Sequence, residues 1–266
     1  MPSIDAHFAL GLAVRLAAIA FTMGAVEQLA VRRQAFGPSG PFSETIARVY
    51  GRGVSGTVTL DRAFQAALVT NVAAGSVLVL LGPAPVVAPL ALAMGLAGNF
   101  VVRRRRVTAS DGAEQMTMLI MFAAFLATLP VADGRTVEVA VYFIAAQAVL
   151  SYTAAGLAKA VSPVWRSGNA VPLIISSEAH GHSGVSSFLT RLPVAGRALT
   201  ISVIVFECSF WLALVGPWQL TAAIFLAGIG FHLGCALTMG LNSFLWAFPA
   251  TYACVLYTAQ QLSHWQ

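Results

Sequence analysis

Charge is what this chain has least of. Its 266 residues include only 15 Lys plus Arg and 10 Asp plus Glu, 9% charged beside 58% hydrophobic, whereas soluble domains carry about 25% charge. A surface so poor in charge cannot be solvated by water, so a soluble globular domain is excluded. The apolar content excludes disorder, and the lack of a Gly-X-Y period excludes collagen. Lysine is scarcer still: Lys159 is the single one, and every other basic residue is Arg. Cysteine is reduced to Cys208, Cys235 and Cys254, an odd number without C-x-x-C spacing, each inside an apolar run. Buried free thiols are the expectation. No phosphate loop and no G-x-G-x-x-G after a strand occurs, which removes support for ATP or NAD chemistry. No repeat of 20–50 residues and no matched pair of broken helices is visible, which weakens a transporter reading.

What is present is apolar sequence in long runs: 8–31, 63–82, 84–102, 114–132, 137–158, 198–216, 218–240 and 243–262. A bilayer crossing needs about 20 such residues. Gly82-Pro83 and Pro85 divide the second run from the third, Asp133-Gly134 the fourth from the fifth, and Gly216-Pro217 the sixth from the seventh. A helix satisfies its own backbone in lipid, while outer-membrane strands would need alternating ten-residue segments. The first run is too long, and lacks the cleavage motif, for a removable signal peptide. The expected fold is therefore all-α: one integral-membrane domain over 1–266, a bundle of about eight transmembrane helices.

Two connections are long, 32–62 and 159–197. Segment 41–52 places apolar and basic residues at helical spacing and suits the interface. Segment 169–190, after helix 5, begins apolar and turns small and polar, as an interfacial, re-entrant or capping element would. Arginine sets an orientation. Arg32, Arg33, Arg48, Arg52 and Arg62 fill the first loop, Arg103 to Arg106 the third, and Arg166, Arg191 and Arg197 the fifth; the even loops hold only Arg135. The positive-inside rule then places the odd loops in the cytoplasm and both termini outside, in a cell inner (plasma) membrane. These arginines read as topology signals, and the Arg103–Arg106 run can also meet anionic headgroups. The basic balance is thus no nucleic-acid signal.

Ionisable groups inside the runs cost roughly 2.5–3.5 kcal/mol each at a helix centre. They are Arg15 and Glu27 in the first run, Glu207 in the sixth and His232 in the seventh, with Lys159 ending the fifth; Asn71, Asn99, Gln115 and Gln147 are uncharged companions. Glu207 reads either as a structural ion pair, for example with Arg15, or as an acid or the anchor of a base. His232 reads either as an interhelical hydrogen bonder or as a catalyst. A lysine at a helix end commonly snorkels. Lysine alone among the cations here, however, can be neutral near pH 7 and act as a base. Its neighbours at i−3, i−4 and i−7 are Gly156, Ala155 and Tyr152, and the small Gly156 and Ala155 leave room for a helix or a flat ligand. His180, His182 and Glu178 fall short of a metal-ligand set, so no metal is expected.

The segment from Tyr152 through Ala155-Gly156-Leu157-Ala158-Lys159 to Trp165-Arg166-Ser167-Gly168 resembles the Y-x-x-A-G-hydrophobic-x-K … W-x-x-G stretch of the vitamin K-dependent gamma-carboxylase family. That family includes bacterial horizontally transferred transmembrane domain proteins. Phe231-His232-Leu233-Gly234-Cys235-Ala236-Leu237-Thr238-Met239 is similar to its F-H-x-G-x-A-L-T-M helix, and Asp111 to Gln115 to its G-G-D-Q motif. The resemblance covers roughly residues 10–258. Asn242 stands where the family has glycine, and the acidic residue that follows the family's lysine is missing.

The resemblance implies an integral-membrane enzyme whose base, Lys159, works beside a quinone or hydroquinone. It implies His232 as a companion, with the intramembrane Glu207 also available in the bundle, and Tyr152, Gly156, Trp165, Arg15 and Met239 as the residues around substrate or cofactor. A peptide is the implied substrate class, in peptide modification or maturation. Two other expectations stand beside it. One is a non-catalytic membrane partner subunit that holds another protein or a lipid. The other is a proton-coupled small-molecule pathway with Glu207 and His232 as stations.

Overall fold

The computed structural model describes residues 4–37, 40, 43, 57–84, 86–105, 110–178 and 181–263. Most of those residues are helical, and none is in a strand. Long elements are α1 (Ala6–Phe36), α2 (Thr57–Leu81), α3 (Ala88–Arg105), α4 (Gly112–Ala127) and α5 (Gly134–Val161). Short ones follow: α6 (Pro163–Arg166), α7 (Ala170–Ile175) and α8 (Ser183–Arg191). Then come α9 (Pro193–Ser209), α10 (Leu212–Val215), α11 (Trp218–Met239), α12 (Phe244–Ala247) and α13 (Tyr252–Ser263). A single 3-10 turn, Pro249–Thr251, leads into α13. Pro85, Arg106, His180 and all of segment 41–52 except Ser43 lie outside the described residues.

Each apolar run falls on helix, but the helices differ in length. Among the described residues four are long and apolar enough to cross a membrane: Ala6–Phe36, Arg62–Leu81, Gly134–Val161 and Trp218–Met239. A fifth crossing results if α8 and α9, bent by 108° at their junction, form one span. The bend falls at Leu192-Pro193, where proline has no N–H to continue the preceding helix. Run 84–102 becomes α3, whose 18 residues end in three arginines. Run 114–132 yields a helix of 16 residues. Runs 198–216 and 243–262 are each interrupted, at Phe210-Trp211 and at Phe248-Pro249. Within the spans, much apolar surface faces outward: Leu80, Val139, Leu226 and Leu237 are all mostly exposed. Apolar surface of this extent on membrane-length helices is compatible with a multi-pass protein in a lipid bilayer.

The chain packs as two compact units, Leu10–Ala140 and, separately, Met1–Ala9 with Val141–Gln266. In the first, α2 and α3 form the main antiparallel pair, and a core of Ala25, Phe36, Phe64, Ala67, Leu68 and Val102 joins them to α1. Small residues allow this closeness. A side chain at Gly75 would collide with Thr22 Oγ1, and one at Gly98 with Asn71. Gly82 takes φ +62° at the α2–α3 turn, a conformation that favours glycine. The Arg15 guanidinium lies against that turn, and its Nη1 donates to Gly11 O at 3.3 Å.

In the second unit, Thr200 fastens the loop helices to α9. Its hydroxyl is fully buried, accepts from Val171 N at 3.2 Å, and lies 3.0 Å from Gly168 O and 2.8 Å from Gly196 O. Gly168, at φ +82°, packs on Arg197, where any Cβ would clash. α11 closes on Gly240 in the left-handed region, whose N–H bonds back to Ala236 O at 3.2 Å.

Candidate active site

Tyr152, Gly156 and Lys159 are spaced four and three apart, which aligns them on one stripe of α5. The stripe meets α9 through Gly156. A Cβ there would stand 2.6 Å from Cys208 N and 2.9 Å from Glu207 C, so only glycine lets the two backbones approach this closely. One turn on, the approach brings Lys159 Nζ to Glu207 Oε2 at 2.6 Å, an ion pair. The Glu207 side chain is 6% exposed and that of Lys159 21%, so the carboxylate is enclosed and the amine retains an opening. The ring of Trp165, on α6, closes one side of the amine, with its centroid 5.2 Å from Nζ. The Ser162-Pro163 turn after α5 positions that indole.

Two turns back on the stripe, Tyr152 Oη lies 2.6 Å from His232 Nε2 and 3.0 Å from Tyr252 Oη. A phenol has one proton, so Tyr152 donates to one neighbour and accepts from the other. Reversing both bonds moves the imidazole proton between Nε2 and Nδ1. The three groups thus form a hydrogen-bonded chain with two self-consistent arrangements. His232 Nδ1, at its end, is buried and without a partner among the described residues. Aromatic rings enclose the chain. Phe210 stacks on Tyr152 at 3.9 Å, Phe248 on His232 at 4.8 Å, and Phe206 meets Tyr152 edge-on at 5.4 Å. Gly228 supplies the space for Tyr252 Oη, which a Cβ would overlap.

Lys159, Glu207, Gly156 and Trp165 are therefore brought together, and Tyr152 and His232 are paired on the same stripe of α5. Glu207, for which the sequence suggests Arg15 as one partner, pairs with Lys159 within its own unit. Met239 ends α11, and no hydrogen bond or ring contact among the described residues joins it to the site. Glu207, central in its apolar run, sits in the last turn of α9 because that helix stops at Ser209. Sequence reasoning missed Tyr252, Phe210 and Phe248. The only available signal was their aromatic character inside apolar runs, which core residues share.

Cys208 and Cys235 are half-buried, Cys254 is buried, and all three are free. Among the described residues no group of three or more His, Cys, Asp or Glu could hold a metal ion. His182 instead caps α8, its Nδ1 accepting from Val185 N at 3.3 Å.

Set against known proteins, the chain matches no family model, no curated protein and no solved structure.

Proposed function

We propose that this protein is an integral-membrane enzyme in which Lys159, held by Glu207, removes a proton from a lipid-soluble hydroxyl such as that of a hydroquinone. The observation that carries the reading is the 2.6 Å Lys159–Glu207 bond, with an amine that is still partly open beside an indole face. A proton moving along that bond from Nζ to Oε2 leaves a neutral amine and a carboxylic acid, so no charge needs solvation in an apolar setting. The amine then takes the substrate's hydroxyl proton, and the resulting ammonium stands beside the new oxyanion. Trp165 supplies a flat face for an aromatic substrate ring. The likeness to the vitamin K-dependent gamma-carboxylase family supports a quinone as that ring, and peptide modification as its use. On the same reading the chain crosses an inner membrane eight times, with its arginine-rich odd loops in the cytoplasm and segment 169–190 re-entrant.

The test uses purified protein in nanodiscs with reduced vitamin K or menaquinol under oxygen, quinone products being followed by chromatography. Acceleration over protein-free nanodiscs, reduced to baseline in Lys159→Arg and Lys159→Met, is the expected result. No acceleration, or equal rates in the variants, overturns the reading. One observation favours a second reading. The Tyr252–Tyr152–His232 chain is suited to passing protons, and pH-driven flux through liposomes that Tyr152→Phe abolishes would favour a proton-coupled pathway over the enzyme.

A further inference from the structure

Away from the lysine, in the other unit, α3 and α4 leave a groove between them. Leu96, Asn99, Phe100 and Arg103 stand at i, i+3, i+4 and i+7 on α3. Gln115, Met118, Leu119 and Phe122 repeat that spacing on α4, so two matching stripes form the walls. The groove encloses about 430 Å³, within the range of small-molecule sites. It is graded along its length. The α3–α4 loop end carries Arg103 and Gln115, while leucine, methionine and phenylalanine, with Asn99 among them, line the remainder over about 6 Å of helix. Beside Arg103, Arg104 Cζ lies 4.7 Å from the centre of the Phe100 ring. Arg103 is the charged residue lining this end, and the lining residues include no acid. Inside, Asn99 is 7% exposed, and its Nδ2 donates to Met118 Sδ at 2.8 Å, a weak acceptor for a buried amide.

An open apolar slot with a cation at one end and an underused amide donor within has the polarity of a phospholipid. We propose that this groove is a specific site for an anionic phospholipid. One acyl chain lies along Phe100, Leu119 and Phe122, the phosphate rests on Arg103, and the ester oxygens lie within reach of Asn99. The match of Arg103 to a phosphate and of the apolar lining to a chain favours this occupant over an apolar peptide helix, which would leave Arg103 unpaired. The site is separate from Lys159, and its existence does not depend on any activity there.

Native mass spectrometry of the full chain in detergent tests the proposal, with phosphatidylglycerol and phosphatidylcholine of identical chains as probes. Phosphatidylglycerol adducts are expected to outnumber phosphatidylcholine adducts about fivefold, as one basic contact with an anionic headgroup implies. Arg103→Gln should lose that preference, while Arg135→Gln, with the same change in charge, should keep it. Leu119→Trp fills the slot and should remove the adduct although every arginine remains. Equal adducts for the two lipids overturn the site. So does an adduct that survives in Leu119→Trp, which signifies surface attraction only, or one that inorganic phosphate alone displaces. Unchanged elution and melting of each variant confirm that it is folded.

Discussion

Substituting Gly156 by alanine tests the contact on which the candidate site depends. The added Cβ would fall 2.6 Å from Cys208 N, 2.9 Å from Cys208 Sγ and 2.9 Å from Glu207 C. Two of these atoms are backbone and cannot rotate away, so α9 itself must shift. Overpacking of this kind costs about 1–3 kcal/mol. Removing a glycine from a helix returns roughly 0.5–1 kcal/mol, which at the middle of both ranges leaves a net loss of about 1 kcal/mol. Gly234 provides the contrast, because it is helical like Gly156 but has nothing within 4 Å of where its Cβ would stand. There the same substitution should be neutral or stabilise by up to about 1 kcal/mol. Reversible unfolding in mixed micelles measures both. The argument fails if Gly156→Ala is as stable as the parent, or if the two variants change alike. A lost contact should also be visible locally, as greater reactivity of Cys208 toward a maleimide in Gly156→Ala.

The remaining predictions concern the two polar clusters. Lys159→Met should destabilise by about 3 kcal/mol, because it leaves the enclosed Glu207 carboxylate unpaired. Lys159→Met combined with Glu207→Leu should recover most of that loss in the same unfolding assay; additive single effects would show that the bond carries no coupling. Tyr152→Phe removes both hydrogen bonds of the chain and should cost about 0.6–1.7 kcal/mol, the range for polar contacts between membrane helices. Its effect should vanish in a His232→Phe, Tyr252→Phe background, where no partner remains to be orphaned.

How much of this was legible beforehand differs element by element. The helix breaks at Gly82 and at Gly216-Pro217 could be read because glycine and proline act locally on φ and on the N–H supply. The breaks at Phe210-Trp211 and Phe248-Pro249 fall within apolar runs that read as continuous. The first has no local breaker, and the proline of the second enters a helical turn. Lys159 stood out because it is the only lysine. Tyr252 did not, because a tyrosine in an apolar run has the composition of core until its hydroxyl is seen 3.0 Å from another.

By itself the sequence determined the solvent of this protein and the alignment of its key residues. A charge content of 9% points to a bilayer, with which the long apolar helices are compatible, and spacings of four and three align Tyr152, Gly156 and Lys159 whatever surrounds them. Only the tertiary structure decided the partners. Glu207 lies 48 positions from Lys159, and His232 lies 80 from Tyr152. No local rule connects such distances. Which helix faces the stripe depends on where a Cβ is missing, and Gly156 lets α9 close in far enough for an ion pair to form.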